Sequence, residues 1–581
     1  MTATTQKAPA RPWLVREPHG EGAAALARSL GLSRVVAGVL AARGLSDEAA
    51  ARTILSPSLG HLHDPYLMLG MRESVARVLR AIEAGERILI YGDYDVDGTT
   101  GTVVLRRALS VLGARTGFHV PHRFTEGYGI RRDVLERAKS EGYSLVISVD
   151  CGIRAHEPLE WAKENGLDVI VTDHHLPDDG EGAPPAFAVL NPNQRGCPYP
   201  DKNLAGVGVA FKLAHALFRE RGRESQVSGF LKVVAIGTVA DVAQLVGENR
   251  AIVALGLADL HRAKNHGLRA LMEVAGCGDG RGMRAFDLGF RLGPRINAAG
   301  RMDAARAVVE LFEAEDRETA RKLAEHLDAR NRERQEVQRQ VTERALASLE
   351  LEGREVSAVA VAAGAGWHRG VIGIAASKIS ERMGRPAVVI SLDEDGTGHG
   401  SARSAGNFHM LDALTACADL LEAFGGHAHA AGLVVRRENV EELRRRLSEH
   451  ASQVLCEQGG VPCLDIDMEL PADALSLELC RELSALEPFG AGWPRPLFAT
   501  RNLRVVGEPR VLKNRHLKFS VAGDDGRTHE AIRWNSADDE TATPRAGQRI
   551  ELAYAVEANT WQDTTRLQLV VEDMRLVNGE S

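Results

Sequence analysis

Three aspartates at alternate positions, Asp93, Asp95 and Asp97, stand in the stretch YGDYDVDGTT, residues 91–100. They follow ERILI, residues 86–90, a short apolar run that reads as a buried strand. On an extended backbone alternate side chains share one face, so the three carboxylates converge. Like charges that close raise one another's pKa and resist ionising unless something positive sits among them. By itself the stretch leaves two readings open, a solvated acidic turn and a metal site.

Further acids and imidazoles follow other apolar runs. SLVISV leads to Asp150 in DCG, and DVIVT leads to Asp173, His174 and His175. LKVVAIGTVADVAQL places Asp241 after a run that reads equally as strand or helix. A lone aspartate at a strand end is commonly a helix N-cap, and Asp173 keeps that alternative. Convergence of six carboxylates and two histidines on one rim points to metal binding. Oxygen-rich ligation with imidazole suits Mn²⁺ or Mg²⁺ better than a structural zinc, and His174 favours Mn²⁺. The carboxylates exceed what one divalent ion needs, so two ions are expected.

The elements that position these groups are alternating helices and strands. MRESVARVLRAIEAG, TTGTVVLRRALSVLG (starting straight after the acidic loop) and EPLEWAKENG read as helices between the strands. Such β-α-β repeats predict a parallel sheet covered by helices, with ligands at the carboxyl ends of its strands. Residues 1–60 read as a polar tail followed by small helices, SLGLSRVVAGVLAARG being one. Residues 313–353 lack proline and carry dense alternating charge, which predicts one long exposed helix, a solvated connector rather than a DNA-binding helix.

The following lobe, 354–455, begins as strand, Gly-rich turn and helix, and it lacks the G-K-[ST] of a nucleotide-binding P-loop. Its loops GHGSARSAG (398–406) and FGGHAHAAG (424–432) either permit tight packing or approach a ligand. From 456 onward short alternating strands predict a small barrel. Within 501–520, Arg501, Arg504, Arg510, Lys513, Arg515 and Lys518 oppose Glu508 alone. With Phe519 and Trp534 nearby, this face suits single-strand binding by backbone tracking and stacking, an ordinary charged surface being the other reading.

At 581 residues the chain needs several cores, and 44% hydrophobic with 26% charged residues is ordinary for a globular enzyme. A net charge of −8 excludes an overall basic footprint, so any nucleic-acid surface is local. Seven cysteines without a C-x-x-C pair indicate neither a zinc knuckle nor a disulfide framework. No signal-peptide core and no apolar run of membrane-spanning length is present, so a cytosolic, reducing compartment without membrane contact is expected.

Taken together, D-x-D-x-D-G, D-C-G, D-H-H and G-T-V-A-D resemble the four motifs of the DHH phosphoesterases. PHRFTEGYGI (121–130), RLGPRINAAGRM (291–302) and the C-terminal domains narrow the resemblance to the bacterial RecJ single-strand DNA exonucleases, from about residue 50 to the end. The resemblance implies an α/β fold in which an N-terminal segment (1–60) precedes a parallel-sheet DHH catalytic domain (61–312). A connecting helix (313–353), a DHH-associated α/β domain (354–455) and an OB-fold β-barrel (456–581) follow. It implies 5′→3′ hydrolysis of single-stranded DNA to 5′-mononucleotides with two Mn²⁺ or Mg²⁺ ions. DNA repair and recombination would be the setting, in end resection, mismatch repair and base excision repair.

By the same resemblance Asp150 bridges the ions and is catalytic, Asp93 and Asp95 complete one ion, and Asp97, His174 and Asp241 hold the other. His175 faces the scissile phosphate. Some relatives carry a histidine where this chain has Tyr91, so Asp93 supplies the missing ligand. Gly426 and His427 contact substrate in the GGH-x-x-AAG signature, while Ser401 and Arg403 grip a terminal 5′ phosphate, for which arginine offers bidentate geometry. Arg123 serves phosphates, and Phe124 and Tyr128 serve base stacking or, alternatively, core packing. Asn297 and Arg301 are further substrate candidates, as are Lys513, Arg515 and Lys518 on the barrel. Implied partners are a 5′-ended single strand, a single-strand-binding protein and a RecQ-type helicase, for a nucleoid-associated monomer. A phosphodiesterase for cyclic dinucleotides or very short oligonucleotides is the rival within the fold, and an inactive single-strand-binding scaffold the rival outside it.

Overall fold

The computed structural model describes residues 11–17, 20–123, 125–178, 180, 182–278, 282–301, 305–351, 357–458, 463–536, 543–562 and 564–577. The chain opens with strand β1 (Trp13–Val15) and helices α1 (Gly20–Leu30), α2 (Arg34–Ala42) and α3 (Glu48–Leu55). SLGLSRVVAGVLAARG is therefore not one helix. Gly31 adopts φ +64°, which ends α1, and the Ser33 hydroxyl accepts from Val36 N to cap α2.

The catalytic layer contains α4 (Met71–Ala84), β2 (Arg87–Tyr91), α5 (Val96–Val111), β3 (Arg115–His119), α6 (Arg132–Ser140), β4 (Tyr143–Val149), α7 (His156–Glu164), β5 (Asp168–Thr172) and β6 (Ala188–Leu190). The sheet runs β3-β2-β4-β5-β6, every pair parallel, as the sequence predicts. Strand alternation divides the core. Ile88, Ile90, Leu145 and Ile147 face α4, α5 and α8 (Gly206–Glu220), whereas Leu89, Tyr91, Val146 and Val171 face α6 and α7. Helices α9 (Leu231–Ala240), α10 (Gly247–Leu260) and α11 (His266–Val274) complete this layer. Then come the short turn α12 (Ala285–Asp287), a π-helical turn at Leu288–Leu292, α13 (Gly293–Arg301) and α14 (Ala305–Glu313).

Two local expectations change. The acidic stretch is not extended: Asp95 caps α5 by accepting from Gly98 N at 3.1 Å, and the helix starts at Val96 rather than at Thr99. Asp97 therefore reaches the rim through a helical turn, not through strand alternation. Asp241 follows the helix α9, not a strand.

The connecting helix α15 (Arg317–Leu351) is one unbroken helix but not a solvated one. Ala320, Ala324 and Leu327 join the core cluster of the catalytic layer, and Val341, Ala345 and Leu349 join that of the next lobe. Alanine and leucine at three- and four-residue spacing form this buried stripe, which the surrounding charge conceals in sequence.

In the second lobe β7 (Ala360–Ala365), α16 (Arg369–Met383), β8 (Ala387–Leu392), β9 (Thr397–Arg403), α17 (Met410–Thr415), β10 (Leu421–Gly426), β11 (Ala430–Arg436) and α18 (Val440–Gln458) form a sheet of order β10-β11-β9-β8-β7 with its helices. Most of GHGSARSAG is thus the central strand β9, not a loop, and FGGHAHAAG is the β10–β11 hairpin. After β12 (Leu464–Ile466), β13 (Met468–Glu469) and α19 (Leu477–Ser484), the strands β14 (Phe498–Leu512), β15 (His516–Ala522), β16 (Thr528–Arg533), β17 (Arg549–Trp561) and β18 (Thr564–Leu576) close a barrel through the β14–β17 pairing. Strand β1 pairs in parallel with β12, Trp13 opposite Leu464, so the N-terminal segment is fastened to the C-terminal region.

Candidate metal centre and nucleic-acid cleft

The carboxyl ends of β2, β4 and β5 and the ends of α5 and α9 deliver their acids to one place. Asp93, Asp97 and Asp150 are buried, and Asp95 and Asp241 are half-buried. Asp93, Asp95 and Asp150 offer ligand atoms within 4.8 Å of one another, as do Asp97, His174 and Asp241. A third group of this kind, Asp150, His174 and His175, overlaps both. The His174 Nε2 lies 3.2 Å from Asp150 Oδ1, 3.7 Å from Asp97 Oδ2 and 3.9 Å from Asp241 Oδ2.

The backbone here is built for close approach. Asp150 itself takes φ +62°, and Val242, directly after Asp241, takes φ +60°. Left-handed backbone is costly for a β-branched residue and concentrates at functional sites. A Cβ at Gly206 would stand 2.6 Å from Asp150 Oδ1, so only glycine lets α8 start against that carboxylate. The amides of Gly206 and Val207 then donate to the two Asp97 oxygens at 2.6 and 2.7 Å, a helix N-terminus stabilising a buried anion.

The electrostatics fit cations. Burial and neighbouring aspartates push Asp93 and Asp150 well above the usual carboxylate range, Asp97 up to about 7 and Asp241 up to about 9. Oδ1 of Asp93 and Oδ1 of Asp150 are buried without a hydrogen-bond donor. Acceptor atoms left this way are unfavourable unless a cation takes them. His174 falls to about 4 through burial and the charge of His175, which keeps the imidazole neutral as a metal ligand must be. Its hydrogen bond to the Leu204 backbone occupies one ring position and orients the other. The residues present therefore fit two divalent ions.

His175 differs. Burial lowers its basicity, but a hydrogen bond from Nδ1 to Asp173 Oδ1 at 2.8 Å, with the charges of Asp173, Asp97 and Asp95, raises it overall. Asp173 also accepts from the amides of Ile153, His174 and His175, which with His175 outweigh its burial and hold it below the usual range. No helix starts at Asp173, so the N-cap alternative falls and the residue orients His175. Sequence gave no sign of this, since any D-H-H run offers three possible ligands.

Asp93, Asp95, Asp150, His175, Asp241, Arg123, Tyr128 and Asn297 line a cavity of about 250 Å³ together with Tyr94. Tyr128 is 52% exposed, not core, and its hydroxyl lies 3.2 Å from His175 Nδ1. Arg123 stacks over Tyr94 at 4.8 Å. Tyr91, where relatives carry histidine, turns away and donates to Gly129 O at 3.0 Å in the opposite core. Phe124 and the side chain of Arg301 lie outside the described residues.

Across the cleft, Arg403 donates to Ser401 Oγ at 3.0 Å and lies below its usual basicity through burial and the charge of Arg123. The charge of one guanidinium is thus felt by the other from a separate lobe, an electrostatic setting that favours an anion. Gly426 (φ +143°) and His427 form the exposed tip of the β10–β11 hairpin and do not line the metal cavity. On the barrel, Lys513 and Arg515 are exposed at the β14–β15 turn, whereas Lys518 pairs with Glu530 at 3.1 Å and Arg501 with Glu469 at 3.0 Å. Phe519 is a core residue at 3% exposure, so the expectation that it stacks bases is corrected, while Trp534 is 51% exposed. A missed feature stands beside Asp241. Phe286 and Phe290 stack at 4.7 Å, half-exposed or more, and with Val242 line a cavity of about 990 Å³ between catalytic layer and barrel.

Family models match in chain order: the DHH family N-terminal domain at 87–238, the DHHA1 domain at 356–453 and the RecJ OB domain at 466–573. The single-stranded-DNA-specific exonuclease RecJ of Bacillus subtilis is 38% identical over 97% of this chain and 70% of its own length. That of Escherichia coli is 36% identical over 87% and 90%. The crystal structure of RecJ in complex with Mn²⁺ from Thermus thermophilus superposes with a TM-score of 0.83 at 30% identity, covering 98% of this chain and 80% of that one. A second Thermus structure holds Mg²⁺. With the buried aspartate and histidine cluster, the associated lobe and the closed barrel all in their expected order, the chain belongs to the RecJ family of single-stranded-DNA-specific exonucleases.

Proposed function

We propose that this chain removes 5′-mononucleotides from single-stranded DNA in the 5′→3′ direction by hydrolysis at two divalent ions, within DNA repair and recombination (end resection, mismatch and base excision repair). The carrying observation is that Asp150 belongs to a cluster with Asp93 and Asp95 and also contacts His174, the centre of the Asp97 and Asp241 cluster. In this reading Asp93, Asp95 and Asp150 hold one ion, and Asp97, His174, Asp241 and Asp150 hold the other. Bound there, the ions supply Lewis-acid activation of the phosphate and of the attacking water.

His175, whose basicity the hydrogen bond to Asp173 raises, faces the phosphate and donates to the oxygen on which charge gathers. Arg123 and Arg403 with Ser401 receive the terminal 5′ phosphate, which makes the 5′ end the one recognised. Tyr128, the Phe286–Phe290 pair and Trp534 stack unpaired bases, a contact worth about 1–3 kcal/mol per base. Asn297, Gly426, His427, Lys513 and Arg515 contribute further substrate contacts. On the family resemblance alone we assign a nucleoid-associated cytoplasmic monomer that works with a single-strand-binding protein and a RecQ-type helicase.

Degradation of a long 5′-labelled single strand, a dinucleotide and a cyclic dinucleotide tests the reading. Mononucleotides released progressively from the labelled end of the long strand are expected. Preference for the cyclic dinucleotide would favour the small-substrate phosphodiesterase, and no hydrolysis of any of the three would leave a binding scaffold.

A further inference from the structure

Three consecutive side chains at the start of α10, Glu248, Asn249 and Arg250, are all polar and all buried. The outer two fasten large pieces of the molecule. Glu248 accepts from Lys212 Nζ at 2.7 Å and from the His63 amide at 2.8 Å, and Arg250 donates to the carbonyls of Ile54 and of residues 486–488. Asn249 has a different task. Its Nδ2 donates to Asn203 O at 2.5 Å and to Gln244 O at 3.1 Å, while its Oδ1 is buried without a donor. A buried acceptor left unpaired is unfavourable, so what asparagine contributes here is two donors from one nitrogen.

Both carbonyls lie on irregular segments that lead to ligands of the same ion. Asn203 stands three residues before Gly206, whose amide, with that of Val207, donates to the two Asp97 oxygens at 2.6 and 2.7 Å. Gln244 stands three residues after Asp241, across the left-handed turn at Val242. Among the described residues no backbone hydrogen bond joins these two segments to each other. Asp201 holds the first of them against α10: its Oδ1 accepts from the Asn203 amide at 2.9 Å and its Oδ2 from the Glu248 amide at 2.8 Å. A Cβ at Gly247 would stand 2.5 Å from Asp201 Oδ2, so glycine lets the helix start this close. Neither Asn249 nor Asp201 lines the metal cavity or belongs to a ligand group.

We propose that Asn249 is a positioning residue: its carboxamide ties the segment that holds Asp97 to the segment that carries Asp241, and so sets the spacing of two ligands of one ion. This rests on the reading of the cluster as a site for two divalent ions. The tie reaches neither Asp93, which follows β2, nor Asp95, which caps α5. Asn249 therefore serves one ion and not the other. Removing the outer support of a metal ligand costs about 10–100-fold in metal affinity, and a residue acting through three residues of backbone belongs at the lower end.

Mn²⁺ binding to the full-length chain, followed by titration calorimetry without DNA, tests this apart from catalysis. Two backgrounds isolate the ions: Asp93→Asn should leave the ion of Asp97 and Asp241, and Asp241→Asn the ion of Asp93 and Asp95. Asn249→Ala should lower the affinity of the ion left in the Asp93→Asn protein about tenfold, and that of the ion left in the Asp241→Asn protein by less than about twofold. Asn249→Asp keeps the shape without the amide protons, and an acid is favoured at a helix N-terminus. It should act as alanine does, which guards against a folding defect in the alanine variant. In the otherwise wild-type chain, Asn249→Ala should need about tenfold more Mn²⁺ for half-maximal cleavage of a single strand, with the rate recovered at saturating metal. Equal losses in both backgrounds would make Asn249 a residue of general stability and overturn the proposal, as would unchanged affinities in both. A wild-type chain that binds fewer than two Mn²⁺ would instead overturn the two-ion reading, and the proposal with it.

Discussion

Replacing Asp150 by asparagine should make the metal-free protein more stable while removing its response to metal. Asp150 is 2% exposed, and its Oδ1 has no donor in a cluster whose ligand atoms lie within 4.8 Å of each other. Two carboxylates at that separation repel by about 3–4 kcal/mol at an effective dielectric of 20. The cluster can instead take up protons, but holding one carboxyl neutral at pH 7.5 costs about 5 kcal/mol relative to the unfolded chain, at about 1.4 kcal/mol per pH unit. The cheaper alternative sets the ceiling, and an asparagine that keeps its shape but leaves some partners imperfect should recover about 2–3 kcal/mol. For a catalytic domain of some 250 residues that is about 4–12 °C in Tm. Thermal unfolding followed by circular dichroism in chelator and in excess Mn²⁺ is the assay. Wild type should gain about 2.7 kcal/mol at a metal concentration a hundredfold above Kd, and the variant far less. If the asparagine variant melts below wild type in chelator yet still rises with Mn²⁺, the carboxylates are not held together for metal and the reasoning fails.

Three further outcomes follow from the same structure. Chelated wild type should lose stability as pH rises from about 4 through about 7–9: Asp97 and Asp241 have folded values raised to about 7 and about 9, so the folded state binds more protons across that window. Urea titrations at pH 5 and pH 8 would show it, and equal midpoints would contradict it. Arg403→Ala should slow cleavage of a 5′-phosphorylated strand by tens-fold or more, corresponding to about 2–5 kcal/mol for a desolvated charged partner, and a 5′-hydroxyl strand much less. An equal fall on both substrates would make Arg403 a structural residue. Arg250, fully buried and donating to the carbonyls of Ile54, Leu486, Glu487 and Pro488, should cost about 3–5 kcal/mol when changed to alanine and loosen the barrel from the catalytic layer. Limited proteolysis between residues 470 and 497 would report the loosening, and a wild-type cleavage pattern would deny it.

What the sequence reveals here depends on whether the signal is local. The strands carrying Asp93, Asp150 and His174 are apolar runs bounded by polar ends, so both the parallel sheet and its functional rim were readable. The barrel was readable for the same reason. The turn of chain at Asp95 was not, because D-x-D-x-D-G supports either an extended strand end or an Asp-capped helix, and tertiary contact of Gly98 against Asp93 decides. The buried stripe of α15 is diluted among charges, so its two anchors appear only when the lobes that receive them are present. Asp173 looked like one more ligand, and only the distance to His175 gives it another task. Lone exposed aromatics such as Phe286 and Phe290 have no sequence signature distinguishing them from core.

The pairing of β1 with β12 bears on how such a chain is made. Trp13 meets Leu464, its indole nitrogen donates to Asp573 at 2.7 Å, and Arg43 bonds Asp467 at 2.7 and 2.9 Å. These contacts join segments 424 to 560 residues apart in sequence, so β1 waits with its edge unpaired until β12 has been made. Closure of so long a loop is late and slow, while the sheet domain between them can fold on emergence. A chain cut short before β12 would therefore carry β1 as an orphan strand with an open edge, a natural handle for quality control to recognise.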